Sequence, residues 1–372
     1  MKNSSPGALS WRQAAVTMVA LPVVIALAVL AYAWPSARLG PRDLPVAVVG
    51  TAAGSSVVAG LEHSGPGGLD LHLYADEAAA RSAIAHRDVY GAFVVAPGGV
   101  TVLEATAAGP AVAQLLDTAG RELAAHAAGS APAASASSAS ARAAGGATGT
   151  PAAAAGERTV DVVPISADDP RGAVFSSTLL PLTICGILTA VVITLSGLLL
   201  PGWRRVFGLV TTSAVAGLGV YLVAQGFLGA LPHDHVATWA ALALTTLAIA
   251  APAAGLATLI GPPGIGLGAV LMVFVGNPSS GSTSAPELLP TAVGDIGRWL
   301  PPGAGANLLR GTAYFDGSGS GGPVTVLALW SVLGLAAVAT GRRRRGAAHG
   351  APPAGSAEPA PEVTRLPGLA AG

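Results

Sequence analysis

His233-Asp234-His235 is the densest group of metal-ligating side chains in the 372-residue sequence. Two imidazoles around a carboxylate suit a divalent ion, but catalytic zinc usually takes three protein ligands and no third lies nearby in sequence. A solvated turn is the preferred reading. The Asp168-Asp169 pair could hold a cation on similar grounds, yet it belongs to a short turn, Ala167–Gly172, beside an apolar run, and reads as a solvated juxtamembrane turn. Gly317–Gly322 (GSGSGG) matches GxGxxG by letter but follows no strand and opens no soluble helix, so it reads as a linker. Neither GxSxG nor HExxH occurs, and the lone His63, His72, His86 and His126 read as surface or packing residues. Lys2 is the sole lysine, which excludes a Walker A loop and an interior Schiff base; any ATP hydrolysis must belong to another chain. Cys185 is the sole cysteine, so the chain forms no intrachain disulfide and no cysteine metal cluster. These patterns predict no enzyme active site, no cofactor and no metal.

The elements available to position anything are unusual. Hydrophobic residues make up 52% and charged residues 10% of the chain, against about 25% charged in soluble domains. Nineteen basic and nineteen acidic residues cancel, which leaves no net positive field for a nucleic-acid partner. A bilayer core needs about 20 apolar helical residues. Six stretches qualify as candidate spans: Ala14–Ala33, Ala173–Leu200, Val206–Ala230, Val236–Ile260, Gly264–Gly276 and Pro323–Thr340. The first also resembles a signal peptide, with Lys2 and Arg12 before it and Ala31-Tyr32-Ala33 at its end. Its apolar run of about 20 residues exceeds the usual 7–15, which favours an uncleaved anchor. The fifth stretch is short, and is kept as a crossing because a re-entrant segment would place the Arg342–Arg345 run outside. With six crossings, Lys2, Arg12, Arg204-Arg205 and Arg342–Arg345 share one side, so both termini are predicted to be cytoplasmic in the plasma membrane.

The spans contain no Asp, Glu, Lys, Arg or His, which argues against an ion-coupled pump. Their hydroxyls, among them Thr178, Thr183, Thr189, Thr211 and Ser213, read chiefly as helix-packing groups.

Between the first two spans, Leu44–Val49 reads as a buried strand and Ser55–Glu62 as a helix. Leu69–Tyr74 alternates as a strand does, and Asp76 caps a helix over Glu77–His86. Strands over Tyr90–Val95 and Val100–Glu104 flank a turn at Pro97-Gly98-Gly99, and a helix runs from Pro110 to about His126. That order predicts parallel crossover units. The expected fold is an α-helical polytopic membrane protein of six transmembrane helices, with a small α/β extracytoplasmic domain inserted after the first. Its parts are a cytoplasmic N-terminus (1–13), the first helix (14–33), the α/β domain (34–128) and an Ala/Ser/Gly-rich linker (129–158). A return strand and turn (159–172), a five-helix membrane domain (173–340) and a disordered cytoplasmic tail (341–372) complete it. Within the membrane domain, 277–322 reads as an outer segment with two amphipathic surface helices, Pro286–Leu300 and Ala304–Phe315.

This layout resembles the type-2 ABC exporter permeases, in particular the phage-infection-protein-like group with a large outer domain. The likeness is carried by Leu44-Pro45-Val46-Ala47-Val48-Val49, by the run Asp88–Pro97, and by Val162-Val163-Pro164 with Asp169-Pro170-Arg171-Gly172. It continues in Asn277-Pro278-Ser279-Ser280-Gly281, Pro286-Glu287-Leu288-Leu289-Pro290 and Leu300-Pro301 with Asn307 and Arg310. The resemblance implies a permease half that pairs as a homodimer or heterodimer and is powered by a separate ATP-binding subunit. Trp203, Arg204 and Arg205 are then the candidate ATPase-docking residues, and Asn277, Glu287, Pro290, Pro301 and Arg310 the candidate outer-gate segment. The expected substrate is hydrophobic or amphiphilic. The alternative is a non-transporting envelope scaffold or receptor whose outer domain binds a partner while the bundle anchors it in the lipid bilayer.

Cysteine labelling checks the predicted topology. In intact cells a membrane-impermeant maleimide should label Ser64→Cys and spare Ser5→Cys and Ser356→Cys; labelling of Ser356→Cys would reverse the orientation of the last helix.

Overall fold

A computed structural model of the chain describes residues 11–50, 68–96, 99–129, 158–196, 202–232 and 234–349. The expected N-terminal segment before residue 11, the helix over Ser55–Glu62, His63, Pro97-Gly98, most of the linker, His233 and the tail beyond 349 lie outside the described residues.

The α/β domain contains strands β1 (Leu44–Val49), β2 (Leu69–Tyr74), β3 (Gly91–Ala96), β4 (Gly99–Glu104) and β5 (Arg158–Asp161), with helices α2 (Glu77–His86) and α3 (Pro110–Gly129). The sheet order is β2-β1-β3-β4-β5. β1 pairs in parallel with both β2 and β3, with Leu44 opposite Leu69 and Ala47 opposite Ala92. Its continuous apolar run suits a strand covered on both faces, whereas the alternating LDLHLY of β2 lies at the edge with Leu73 76% exposed. The expected parallel crossover order is seen in β1, β2 and β3, while β3 and β4 pair antiparallel, with Phe93 opposite Val102. A two-strand reversal needs only a tight turn, so no helix fits between them. The return strand is shorter than expected, Arg158–Asp161, and runs parallel to β4.

Asp76 caps α2, its Oδ1 accepting from the Ala79 N–H at 2.8 Å. The helix stops at Arg87, which takes a left-handed conformation (φ 65°) and returns its N–H to Ala83 and Ile84 carbonyls.

Apolar helices make the second half. They are α1 (Trp11–Ala37), α4 (Ala173–Ser196), α5 (Gly202–Tyr221, continued by a π turn Leu222–Phe227), α6 (His235–Ile260), α7 (Pro263–Ala269, continued by a π turn Val270–Gly276) and α10 (Gly321–His349). Among the described residues, four helices are long and apolar enough to cross a membrane: Ala173–Leu195, Gly202–Phe227, His235–Ile260 and Gly321–Thr340. Ala26–Ala37 and Pro263–Gly276 are shorter apolar helices. The third-span boundary moves: Trp203, Arg204 and Arg205 stand in the first turn of α5 rather than in a loop.

α6 is the pivot, with α4, α5, α7 and α10 packed around it. Its buried face is mostly Ala and Thr, and small residues let helix axes approach closely. A Cβ at Gly217 of α5 would lie 2.6 Å from the Ala243 backbone nitrogen of α6. The hydroxyls fold back on their own helices: Thr178, Thr183, Thr245, Thr246 and Ser331 each donate to the carbonyl four residues earlier at 2.7–3.0 Å. Such bonds satisfy the side chain without lining a polar path.

The outer segment differs most from expectation. Pro290 ends a short 3-10 turn, Pro286–Leu288, and precedes α8 (Thr291–Trp299); α9 (Pro301–Tyr314) follows. The continuous helix expected over Pro286–Leu300 is therefore broken at Pro290, since a residue before proline is driven to extended geometry. Nor does α9 lie on a surface: every residue except Asn307 is buried. GSGSGG makes a tight turn, not a loose linker, with Gly317 and Gly319 at φ 81° and 71°, where glycine alone is unstrained.

The two halves share their cores. On one sheet face Phe93, Val102 and Leu116 pack with Ala285 and Leu288; on the other Ala47, Ile84 and Leu103 join Phe175, Leu309, Tyr314 and Phe315.

The close approach gives a paired test. Gly217→Ala should lower thermal stability in detergent by about 1–3 kcal/mol through overpacking. Gly219→Ala, where a Cβ meets open space, should be neutral or stabilising by about 1 kcal/mol; equal effects would contradict the α5–α6 contact.

Candidate functional site

A cavity of about 690 Å³ opens where the α/β domain meets α8, α9 and the start of α10. This volume falls in the range of small-molecule sites, about 300–1,000 Å³. Arg87, Tyr90, Glu287, Arg298 and Asn307 supply its polar side, while Ile84, Trp299, Phe315 and Val326 supply apolar wall.

Local chain geometry aims each group. The left-handed cap at Arg87 turns its guanidinium toward α9, where Nη1 donates to the Asn307 carbonyl at 3.2 Å and Nη2 to Asn307 Oδ1 at 3.3 Å. Its Cζ lies 5.5 Å from the Phe315 ring centroid, a cation–π distance. Tyr90, just before β3, donates to Glu287 Oε2 at 2.5 Å. Arg298, in the last turn of α8, reaches the other oxygen, Oε1, at 3.4 Å. Burial pushes the Tyr90 hydroxyl far above its ordinary value, with the Glu287 charge adding to the shift. The hydroxyl thus stays protonated and remains a donor. Burial also lowers the Arg87 guanidinium, which Tyr90 and Glu287 partly offset.

The Glu287 backbone is as engaged as its side chain. Its carbonyl accepts from Arg42 N–H at 3.0 Å, and the Leu288 carbonyl accepts from Gly40 N–H at 3.0 Å and Arg42 Nη1 at 2.9 Å. The connector from α1 to β1 is thereby laid against the 3-10 turn.

Of the proposed outer-gate residues, only Glu287 lines this cavity. Arg310 is buried on another side of α9, with Nη2 donating to the Ser282 carbonyl at 3.2 Å and its Cζ 4.9 Å from the Phe175 ring centroid. Pro290 and Pro301 are structural, as N-cap of α8 and first residue of α9. Asn277 ends α7, its Oδ1 accepting from Thr183 Oγ1 at 3.3 Å. Arg87 and Arg298 were not singled out from the sequence; the signal was the scarcity of charge around them.

Trp203, Arg204 and Arg205 are remote from the cavity. They start α5, whose far end meets Asp168 near Gly229 and Tyr314 through the Ala230 carbonyl. Trp203 is 67% exposed, and Arg204 lies over its ring at 5.5 Å.

The other chemical candidates resolve into structure. Asp234 caps α6, accepting from Val236 and Ala237 N–H at 3.1 and 3.0 Å, and His235 Nδ1 pairs with Tyr221 Oη at 2.7 Å. Asp169 is buried, not solvated as expected: its carboxylate accepts from the Ala173, Val174 and Phe175 N–H groups that open α4. Among the described residues, no group of three His, Cys, Asp or Glu is placed to hold a metal ion.

A second space, about 610 Å³, is a groove between α4 and α5. Val174, Pro181, Cys185, Gly219, Val223 and Leu228 are among its walls, and no charged side chain lines it.

No protein-family model matches the chain, and no curated protein or solved structure is similar enough to mark a relative.

Tyr90→Phe should cost about 2 kcal/mol, because it strands one oxygen of a mostly buried carboxylate. The loss should appear as a lower thermal midpoint and faster amide exchange across β3; wild-type exchange there would show that the Tyr90–Glu287 bond does not hold the domain.

Proposed function

We propose that the chain is the membrane subunit of an exporter for a hydrophobic or amphiphilic substrate, working with a separate ATP-binding subunit. The observation that carries this reading is the uncharged groove between α4 and α5. A wall mostly of Ala, Val, Gly and Pro, with Ser177, Thr178 and Cys185 its polar or polarisable members, offers an alkyl or ring surface an apolar path without buried charges to desolvate. The order of elements supports it through the resemblance to type-2 exporter permeases: one helix, an α/β domain, apolar helices, an inserted hairpin and a last helix.

In this reading α1 and α7 also cross, making six spans with alternating direction. Gly202 at the start of α5 lies near Ala339 of α10, so Trp203, Arg204, Arg205 and the 342–345 arginine run share the end of the bundle opposite the α/β domain. The preference of arginine for the cytoplasmic side then puts that domain and the large cavity outside, with the α4–α5 groove in the outer half of the bundle. At 1.5 Å per residue the 14 residues of Pro263–Gly276 reach about 21 Å, so its crossing relies on flanking residues or a thinned bilayer. The exposed Trp203 with Arg204 stacked on it is the docking patch for the ATPase. The permease halves pair as a homodimer or heterodimer.

A second reading rests on the sheet edge. Among the described residues no strand pairs with the outer side of β2, and an open edge can accept a partner's strand. The protein would then be an envelope scaffold.

Trp203→Ala combined with Arg204→Ala and Arg205→Ala should cut recovery of an ATP-binding subunit in a mild-detergent pull-down by about tenfold or more. Unchanged recovery would remove this docking site, and absence of such a subunit from the wild-type eluate would favour the scaffold.

A further inference from the structure

On another side of α9, Arg310 lines a third space, a chamber of about 80 Å³. Arg310 is 3% exposed, and its guanidinium carries five N–H donors. One of them reaches the Ser282 carbonyl at 3.2 Å. The others are not sealed against protein without a partner and face the chamber. Among the described residues no carboxylate lies within ion-pair distance of Arg310. Two acids of its surroundings, Asp169 and Glu287, are committed elsewhere. Asp169 is taken up by three backbone N–H groups of α4, and the Glu287 oxygens by Tyr90 and Arg298.

A lone buried cation is costly unless paired. Burial lowers the Arg310 guanidinium to about 10, and Arg87 adds to the shift, so it remains charged at neutral pH. The chamber nevertheless holds a second cation, Arg171, which makes no hydrogen bond or ion pair among the described residues. Ser282 and Thr283 also line it. Every charged side chain on its wall is positive.

We propose that this chamber binds a small inorganic anion of chloride size, held between Arg310 and Arg171 with the Ser282 and Thr283 hydroxyls. A water takes about 30 Å³ of liquid volume, so the space suits one small ion with a water and is too small for an amphiphile. Its walls come from the α/β domain at Ala107 and Pro110, the return segment at Ile165, the start of α4 at Phe175, and α9. The anion therefore neutralises two arginines where the domain is seated on the bundle, and stabilises that seating. The inference is independent of the export reading.

Thermal unfolding of the purified full chain in mild detergent tests it, with sodium chloride exchanged for sodium gluconate at constant ionic strength. The midpoint should be flat at low chloride and, once the site is half filled, rise by about 2 °C per tenfold increase in chloride, and bromide should replace chloride. Arg171 is exposed, so Arg171→Gln preserves the core and should move the curve to about fivefold higher chloride; Arg310→Gln should abolish the dependence. Equal midpoints in chloride and gluconate overturn the proposal. A chloride response unchanged in Arg171→Gln does so as well, even if Arg310→Gln does not fold.

Discussion

Glu287 stands where three parts of the chain meet. Its carboxylate takes the Tyr90 hydroxyl from the sheet and Arg298 from α8, and its carbonyl takes the Arg42 N–H from the connector leaving α1. A carboxylate this enclosed must be bonded on both oxygens to be tolerated, so the three segments cannot separate independently. Leu288 and Ala285, its neighbours, complete one face of the domain core beneath Phe93 and Val102. The five-strand domain is consequently seated on the bundle along this turn.

The charge distribution follows from the same economy. Helices that bury Ala, Gly and Thr against one another have little use for ionised groups, and the bundle closes through near approaches such as Gly217 on Ala243. Charge is concentrated at the seam between domain and bundle. There Arg87, Arg298 and Arg310 outnumber Glu287, and only part of the excess is met by carbonyls and rings. A seam of this kind provides both a ligand-sized cavity and a reason for an anion to bind beside it.

The proposed export role draws on a different part of the molecule, the uncharged α4–α5 groove and the exposed Trp203 at the opposite end. α9 is buried against α6, with Gly305 fitting beside Thr245, and its last residues reach the α5–α6 connection through Tyr314 and Ala230.

Periodicity alone located β1, β2, α2, β3, β4 and α3 to within a few residues, because LPVAVV, LDLHLY and the Asp76 cap are signals set by neighbours in sequence. The long apolar helices α4, α5, α6 and α10 were legible for the same reason: each buries or exposes apolar surface whatever its partner. The antiparallel direction of β4 follows from the short Pro97-Gly98-Gly99 stretch between two strand patterns, too short for a crossover. Burial of α9 was invisible because Pro-Pro-Gly-Ala-Gly-Ala reads equally as a weak surface helix. Only tertiary packing turns its missing side chains into a close fit. Glu287 and Arg310 were both singled out from the sequence, but as one segment; the fold sends them to different sides of α9. Arg87 carried no motif, since a buried charge is defined by what surrounds it, and its Asn307 partner stands 220 positions away in sequence; Arg298 is exposed and pairs with Glu287, which no motif marked as a partner.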